Sequence, residues 1–321
     1  MPPPCGAREA ARQRLNRFLR RACPRQYDYE GYLCTLALPA DARGAAFALR
    51  AFNVETARVL DSVKELPLAL LRLRWWRDGC ASALGGGDAH SAAASAAAHP
   101  VSRALAAALP PGCAAAGPVR VALERLALAR EADCALAGLP PSLEALEAYA
   151  LGTQGSLLHA LLHVTPGALP TAGAHAPAQC AAALHAAGRV GTASGLAALL
   201  AGTRQHLSRG RVYLPADAAA KEGVQAESLR REGGGAPARA VFALVARAAQ
   251  GALAEGRAAG PHLAAPARRV LLPAVPAGIY LEALQAVGHD AFADVLARRG
   301  GVVSPLRLQG ALAWAALRGR Y

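Results

Sequence analysis

Nowhere in the 321 residues do apolar and polar positions alternate with period two for long enough to build a sheet. Apolar residues recur instead at helical spacing, segment after segment, and Pro or Gly closes each one. The pattern predicts helices over Asp28–Leu38, Asp41–Lys64, Pro67–Ala81, Pro118–Ala137, Ser142 to about Val164, Pro177–Leu207, Ala238–Ala259, Pro276–Val287, Asp290–Arg299 and Pro305–Arg318. Ser142 supplies an N-cap hydroxyl for the fifth of these. Hydrophobic residues make up 54% of the chain but aromatics only 5%, so the apolar content is mostly Ala and Leu, which favours helix over sheet. The fold class expected is all-α. Residues 85–100, GGGDAHSAAASAAAHP, read as a surface loop, RGRVYLP (209–215) as an extended segment, and Gly233–Gly235 as a break.

Two parts differ in character. Residues 1–26 carry Arg8, Arg12, Arg14, Arg17, Arg20, Arg21 and Arg25 against the single acid Glu9, while Leu15, Phe18, Leu19 and Ala22 can share one helix face. An Arg-rich, acid-poor, amphipathic start is the pattern of a mitochondrial targeting leader, which leaves 27–321 as one helical domain. No apolar run reaches the roughly eighteen residues that a membrane span needs. The net charge of +13 suits an anionic partner, either an acidic membrane surface or a phosphorylated ligand, and it equally suits a leader on a basic mitochondrial chain. With few aromatics and no zinc-finger or RNA-binding signature, no nucleic-acid partner is expected. The seven scattered cysteines form no C-x-x-C pair and read as reduced thiols.

Two segments carry a resemblance. LPADARGAAFALRAFNVETARVLDSV (38–63) and GRVGTASGLAALLAGTRQHLSRGRVYLP (188–215) resemble the two signature helices of the squalene/phytoene synthase family, and Tyr149–Ser156 is similar to the family's mid-chain helix beside the cavity. The resemblance implies the class I isoprenoid (terpenoid) synthase fold. In that fold, carboxylates at i and i+4 on two facing helices hold magnesium ions bridged by a diphosphate. Here the first motif reads Ala57, Arg58 and Asp61, and the second Gly202, Gln205 and His206. One carboxylate cannot hold such a cluster. The expectation is therefore no metal, no cofactor, no catalytic residue and a pseudoenzyme, with Asp61 paired to Arg58 or Lys64 on its own helix. Arg50 stands where the family has tyrosine. Arg43, Arg50, Arg58, Arg209 and Arg211 come from segments that line the family's cavity, and guanidinium groups bind diphosphate without metal. They could serve an isoprenoid diphosphate or a phospholipid, or simply pair with neighbouring acids.

YDYEGYLC (27–34), FALRAFNVE (47–55), Asp61-Ser62-Val63 and the pattern Tyr-Ala-x-x-Thr-Gln-x-Ser-Leu-Leu (149–158) resemble a non-enzymatic branch of the same family. That resemblance implies a peripheral protein on the matrix side of the mitochondrial inner membrane. Its partners would be complex I subunits or assembly intermediates, and its role would lie in building the membrane-facing part of complex I. The rival readings are a prenyltransferase with an altered site and a lipid-binding adaptor. Trp75 and Trp76, flanked by Arg72, Arg74 and Arg77, are candidates for contact with an acidic membrane. His159 and His163, at i and i+4, read more readily as core or interface residues than as a zinc pair.

Overall fold

A computed structural model describes residues 27–85, 98–110, 112–136, 138–232, 235–296 and 304–321, and among them there is no strand. The Arg-rich residues 1–26 and most of the 85–100 segment lie outside the described residues. The helices are α1 (Tyr29–Leu36), α2 (Arg43–Ala57), α3 (Val59–Ser62), α4 (Leu66–Ala83), α5 (Pro100–Ala108), α6 (Ala116–Ala135), α7 (Leu143–Ala150) and α8 (Ser156–Val164). They continue as α9 (Ala176–Ala201), α10 (Thr203–Ser208), α11 (Ala216–Lys221), α12 (Ala226–Glu232), α13 (Ala236–Ala258), α14 (Ala265–Val270), α15 (Ala274–Ala286) and α16 (Pro305–Arg318). A π-helical turn, Leu151–Gly155, joins α7 to α8.

Several expectations change: the helix expected over Pro177–Leu207 is cut at Gly202 into α9 and α10, and the one expected from Ser142 is interrupted by the π turn. The helix expected over Asp41–Lys64 breaks at Arg58 into α2 and α3, where Thr56 Oγ1 donates to the Phe52 and Asn53 carbonyls and competes with the ladder. The segment expected to be helical from Asp290 runs through turns to Leu296, because Gly288 and His289 both take positive φ (65° and 60°) and end α15; Ala297–Arg299 lie outside the described residues. Helices α11, α12 and α14 were not anticipated, and neither was α5. Its signal is Pro100 in the first turn, after a residue, His99, whose Nδ1 accepts from Val101 N at 3.2 Å.

The core is built on α9. One side of it packs along α13, and the other takes the π turn, α7 and α8. Helix α8 reaches on to α6 and α2, and α4 lies against α6. Phe47, Phe52, Trp76 and Phe242 are fully enclosed, each contributing on the order of 2–3 kcal/mol of apolar burial. The tightest constraint is glycine. A Cβ on Gly191 would sit 2.3 Å from Gly155 Cα, and one on Gly152 would sit 2.8 Å from Ala129 Cβ. The π turn is thus wedged between α6 and α9 at backbone contact distance.

Gly191→Ala should therefore destabilise the fold by about 3 kcal/mol through overpacking against backbone. Gly251→Ala, in α13 with nothing within 4 Å of its Cβ position, should stabilise it by about 0.5–1 kcal/mol through helix propensity. Chemical denaturation of the two variants checks both signs.

Candidate functional site

The end of α2, the π turn, the α9–α10 junction and RGRVYLP enclose a cavity of about 660 Å³. Seven of the positions singled out in the sequence line it: Ala57, Arg58, Asp61, Gln205, His206, Arg209 and Arg211. Gly202 stands one helical turn before His206, and a Cβ there would meet His206 Nε2 at 2.6 Å, so its bare backbone makes room for the imidazole. Two of the arginines lie elsewhere. Arg43 is spent on the chain itself, its Nε donating to the Leu38 carbonyl at 2.9 Å. Arg50 is buried in an adjoining pocket of about 130 Å³. There it is paired with Asp28 at 3.0 Å and donates to Thr35 Oγ1 at 2.8 Å.

Asp61 does not pair within its own helix. Its carboxylate meets Arg209 at 2.8 Å, so an ion pair joins the ends of the two signature segments. The Arg58 guanidinium is engaged elsewhere, covering the Tyr27 ring at 4.0 Å. His206 is held neutral. Burial first, then the Arg211 charge beside it, push its pKa down from 6.5 to about 4.

One wall of the site was legible only at Tyr149, in the mid-chain segment, and its other residues were not singled out. Tyr213 donates its hydroxyl to Asp133 at 2.8 Å, stacks on Tyr149 at 6.0 Å between ring centroids, and receives the His206 ring edge-on at 4.7 Å. Arg130 donates to the Tyr149 hydroxyl. Burial raises the pKa of both phenols, that of Tyr213 to about 12, and also raises that of Asp133. Tyr213 sits inside RGRVYLP and Tyr149 opens the mid-chain pattern, so those two could have been found from the motifs. Arg130 and Asp133 sit in α6, which carries no motif. Deep in the wall, Asn53 is 5% exposed and its Oδ1 has no hydrogen-bond partner among the described residues.

These residues do not fit a magnesium cluster. The carboxylates lining the cavity are Asp28, Glu30 and Asp61. Asp28 is committed to Arg50 and to capping Gly31 N, and Asp61 is committed to Arg209. Among the described residues no three His, Cys, Asp or Glu side chains gather as a metal site. The histidine pair of α8 diverges: His159 Nε2 lies 2.9 Å from the Leu184 carbonyl oxygen, while His163 lines a different pocket.

The tryptophan pair requires a correction. Trp76 is 1% exposed and packed among Phe52, Trp75 and His99, so it cannot touch a membrane. Trp75 is half-buried against the core. The exposed apolar side chains of α4 are Leu66, Leu68 and Leu71.

A model of the squalene/phytoene synthase family matches residues 24–307. Among curated proteins, the chain is 33% identical over 288 residues to "NADH dehydrogenase (ubiquinone) complex I, assembly factor 6" of Bos taurus, covering 88% of this chain and 78% of that one. The Homo sapiens protein of the same name is 32% identical with the same coverage. Among solved structures, a dehydrosqualene synthase in complex with a ligand aligns with a TM-score of 0.72 at 18% identity, over 96% of this chain and 98% of that one. The squalene synthase HpnC of Alicyclobacillus acidocaldarius aligns with a TM-score of 0.64 at 18% identity, over 88% and 97%. At these identities the solved structures establish the fold.

Because His206 has a lower pKa folded than unfolded, the unfolded chain binds the extra proton between those values. Its contribution to stability is therefore complete above about pH 6.5 and falls as the pH drops toward about 4. Between about pH 7 and about pH 5 the wild type should lose roughly 1–2 kcal/mol more than His206→Gln, as read from denaturation midpoints at the two pH values.

Proposed function

The chain belongs to the squalene/phytoene synthase family, and on that footing we propose that it is a non-catalytic member that helps assemble respiratory complex I at the mitochondrial inner membrane. The observation that carries this reading is the Asp61–Arg209 ion pair, which occupies the ground between the two signature helices. A cation sits where the fold's chemistry calls for a metal-binding face, so diphosphate departure has no Lewis acid to assist it. Relatives that share a third of their residues across most of the chain bear the name of a complex I assembly factor, which supports the same role.

In this reading, residues 27–321 are the working domain and 1–26 the import leader. The protein lies peripherally on the matrix side, and its partners are complex I subunits or assembly intermediates. None of the described helices is long and apolar enough to cross a membrane. Helix α4 is the face we assign to a protein partner. Leu66, Leu68 and Leu71 are exposed there among Lys64, Glu65, Arg72 and Arg74, and a mixed-charge apolar patch suits a protein surface better than a lipid one.

A second reading concerns the cavity. Arg58, Arg130, Arg209 and Arg211 line it together with apolar Leu199 and Leu308. That combination suits an anionic head group with an apolar tail, an isoprenoid diphosphate or a phospholipid, bound by guanidinium groups without metal.

Deleting the gene should abolish or sharply reduce mature complex I on native gels while leaving isoprenoid products unchanged. Normal complex I with altered isoprenoids would overturn the assembly reading in favour of a prenyltransferase. For the cavity, farnesyl diphosphate should raise the melting temperature equally with and without magnesium, and Arg209→Gln/Arg211→Gln should remove the shift. No stabilisation by a prenyl diphosphate or by phosphatidic acid would end the ligand reading.

A further inference from the structure

Helix α16 is apolar on both sides, yet the protein covers only one. Leu308 and Leu312 point inward and are buried with Leu272 and Cys34. On the opposite face Leu306, Gly310, Ala313 and Leu317 follow one another at spacings of four, three and four, which align them along one stripe. Leu306 is 79% exposed, Trp314, beside the stripe, 59%, and Leu317 84%. An exposed stripe of this kind on a helix end needs a cover.

Charge says which cover. From Ser304 to Tyr321 there is no acid, while Arg307, Arg318 and Arg320 are all exposed. The Arg318 guanidinium lies over the Trp314 ring at 4.2 Å, which puts cation and aromatic at one level on the helix. Arg268 packs against Gly319, the left-handed cap of α16, and the neighbouring Arg269 is exposed. A second copy docking here by two-fold symmetry would bring arginine against arginine. Residues 1–26, with seven arginines and one acid, would be repelled in the same way. An anionic bilayer meets both demands, because its acyl boundary accepts Trp and Leu while its head groups neutralise the arginines.

The helix is also held firmly enough to present this face. Gln309 Nε2 donates to the Tyr29 hydroxyl at 2.9 Å. Beyond the cap, Tyr321 is buried, donates to the Gly256 carbonyl at 2.9 Å and accepts from Arg257 Nε at 2.8 Å.

We propose that the outer face of α16, built on Leu306, Trp314 and Leu317 and flanked by Arg307 and Arg318, is the surface by which the protein docks on an anionic lipid bilayer. It gives the peripheral association proposed above a place on the molecule, and it rests on that association only for the identity of the membrane. The same helix contributes Leu308 to the wall of the large cavity, so the docked face and the cavity are back to back on one element.

Vesicle flotation of the full chain tests this. The wild type should float with vesicles of phosphatidylcholine mixed with phosphatidylglycerol, far less with phosphatidylcholine alone, and less in high salt. Leu306→Ser/Trp314→Ser/Leu317→Ser should weaken binding at least roughly ten-fold while melting like the wild type, since all three side chains are exposed. Arg307→Gln/Arg318→Gln should erase the preference for phosphatidylglycerol. If the triple variant floats like the wild type while Leu68→Ser/Leu71→Ser does not, α16 is the wrong surface although the membrane association stands. If the wild type ignores both vesicles, and the α16 variant instead abolishes a concentration-dependent dimer or capture of an assembly intermediate, the face is a protein interface and the proposal falls. Loss of complex I on gene deletion would in either case leave the assembly reading intact.

Discussion

Gly155 and Gly191 set the distance on which the rest of the molecule depends. With no Cβ on Gly191, α9 meets Gly155 of the π turn at backbone contact, closer than a side chain there would allow, while a Cβ on Gly155 would instead meet Leu151 of the same turn at 2.7 Å. The geometry of the cavity follows. The π turn carries Thr153 and Gln154 into the cavity wall, and α9 runs on through Gly202 into α10, which brings in Gln205 and His206. Thr153 Oγ1 donates back to the Tyr149 carbonyl at 2.8 Å, which helps the chain accept the extra residue of a π turn. A wider spacing would separate Tyr149 from Tyr213 and open the wall.

Within that frame the electrostatics have changed character. Where the fold family's resemblance implies carboxylates facing one another across bound metal, here Asp61 faces Arg209 directly. The pair is partly solvated, so its contribution to stability is small, but it commits the lone motif carboxylate to a fixed cation. The neutral His206 and the phenols of Tyr149 and Tyr213 add hydrogen-bonding surface without charge, and they leave the arginines to set the sign of the site. In the proposed reading such a scaffold keeps its shape for recognition and has no cation-binding face with which to polarise a leaving group.

Much of this was legible in the sequence, for physical reasons that differ by feature. The helices were readable because Pro and Gly punctuate a strong apolar period, and α16 falls on its expected bounds, Pro305–Arg318. The cavity positions from Ala57 to Arg211 were readable only through the family resemblance of the two signature segments, which implied that they border one cavity. What could not be read were contacts between distant segments. Asp61 pairs with Arg209 across the cavity and not with Arg58 or Lys64, its neighbours in sequence, while the Arg58 guanidinium lies over the Tyr27 ring. Arg130 joined the wall, and Asp133 backs it through Tyr213, from a helix with no motif. The split of Trp75 and Trp76, one half-covered and one enclosed, depends on which side of α4 meets Phe52 and His99. Periodicity in a helix this apolar does not decide that.

In the proposed reading this fold works without metal-binding carboxylates, and Asp61 is the one carboxylate at the positions that the resemblance assigns to them. The most direct measurement is complementation: in cells lacking the chain, Asp61→Asn is expressed at wild-type level and mature complex I is quantified on native gels. Recovery should equal that of the wild type, because asparagine keeps the shape and still accepts a hydrogen bond from Arg209. A folded Asp61→Asn protein that leaves complex I at the level of the null cells would contradict that reading.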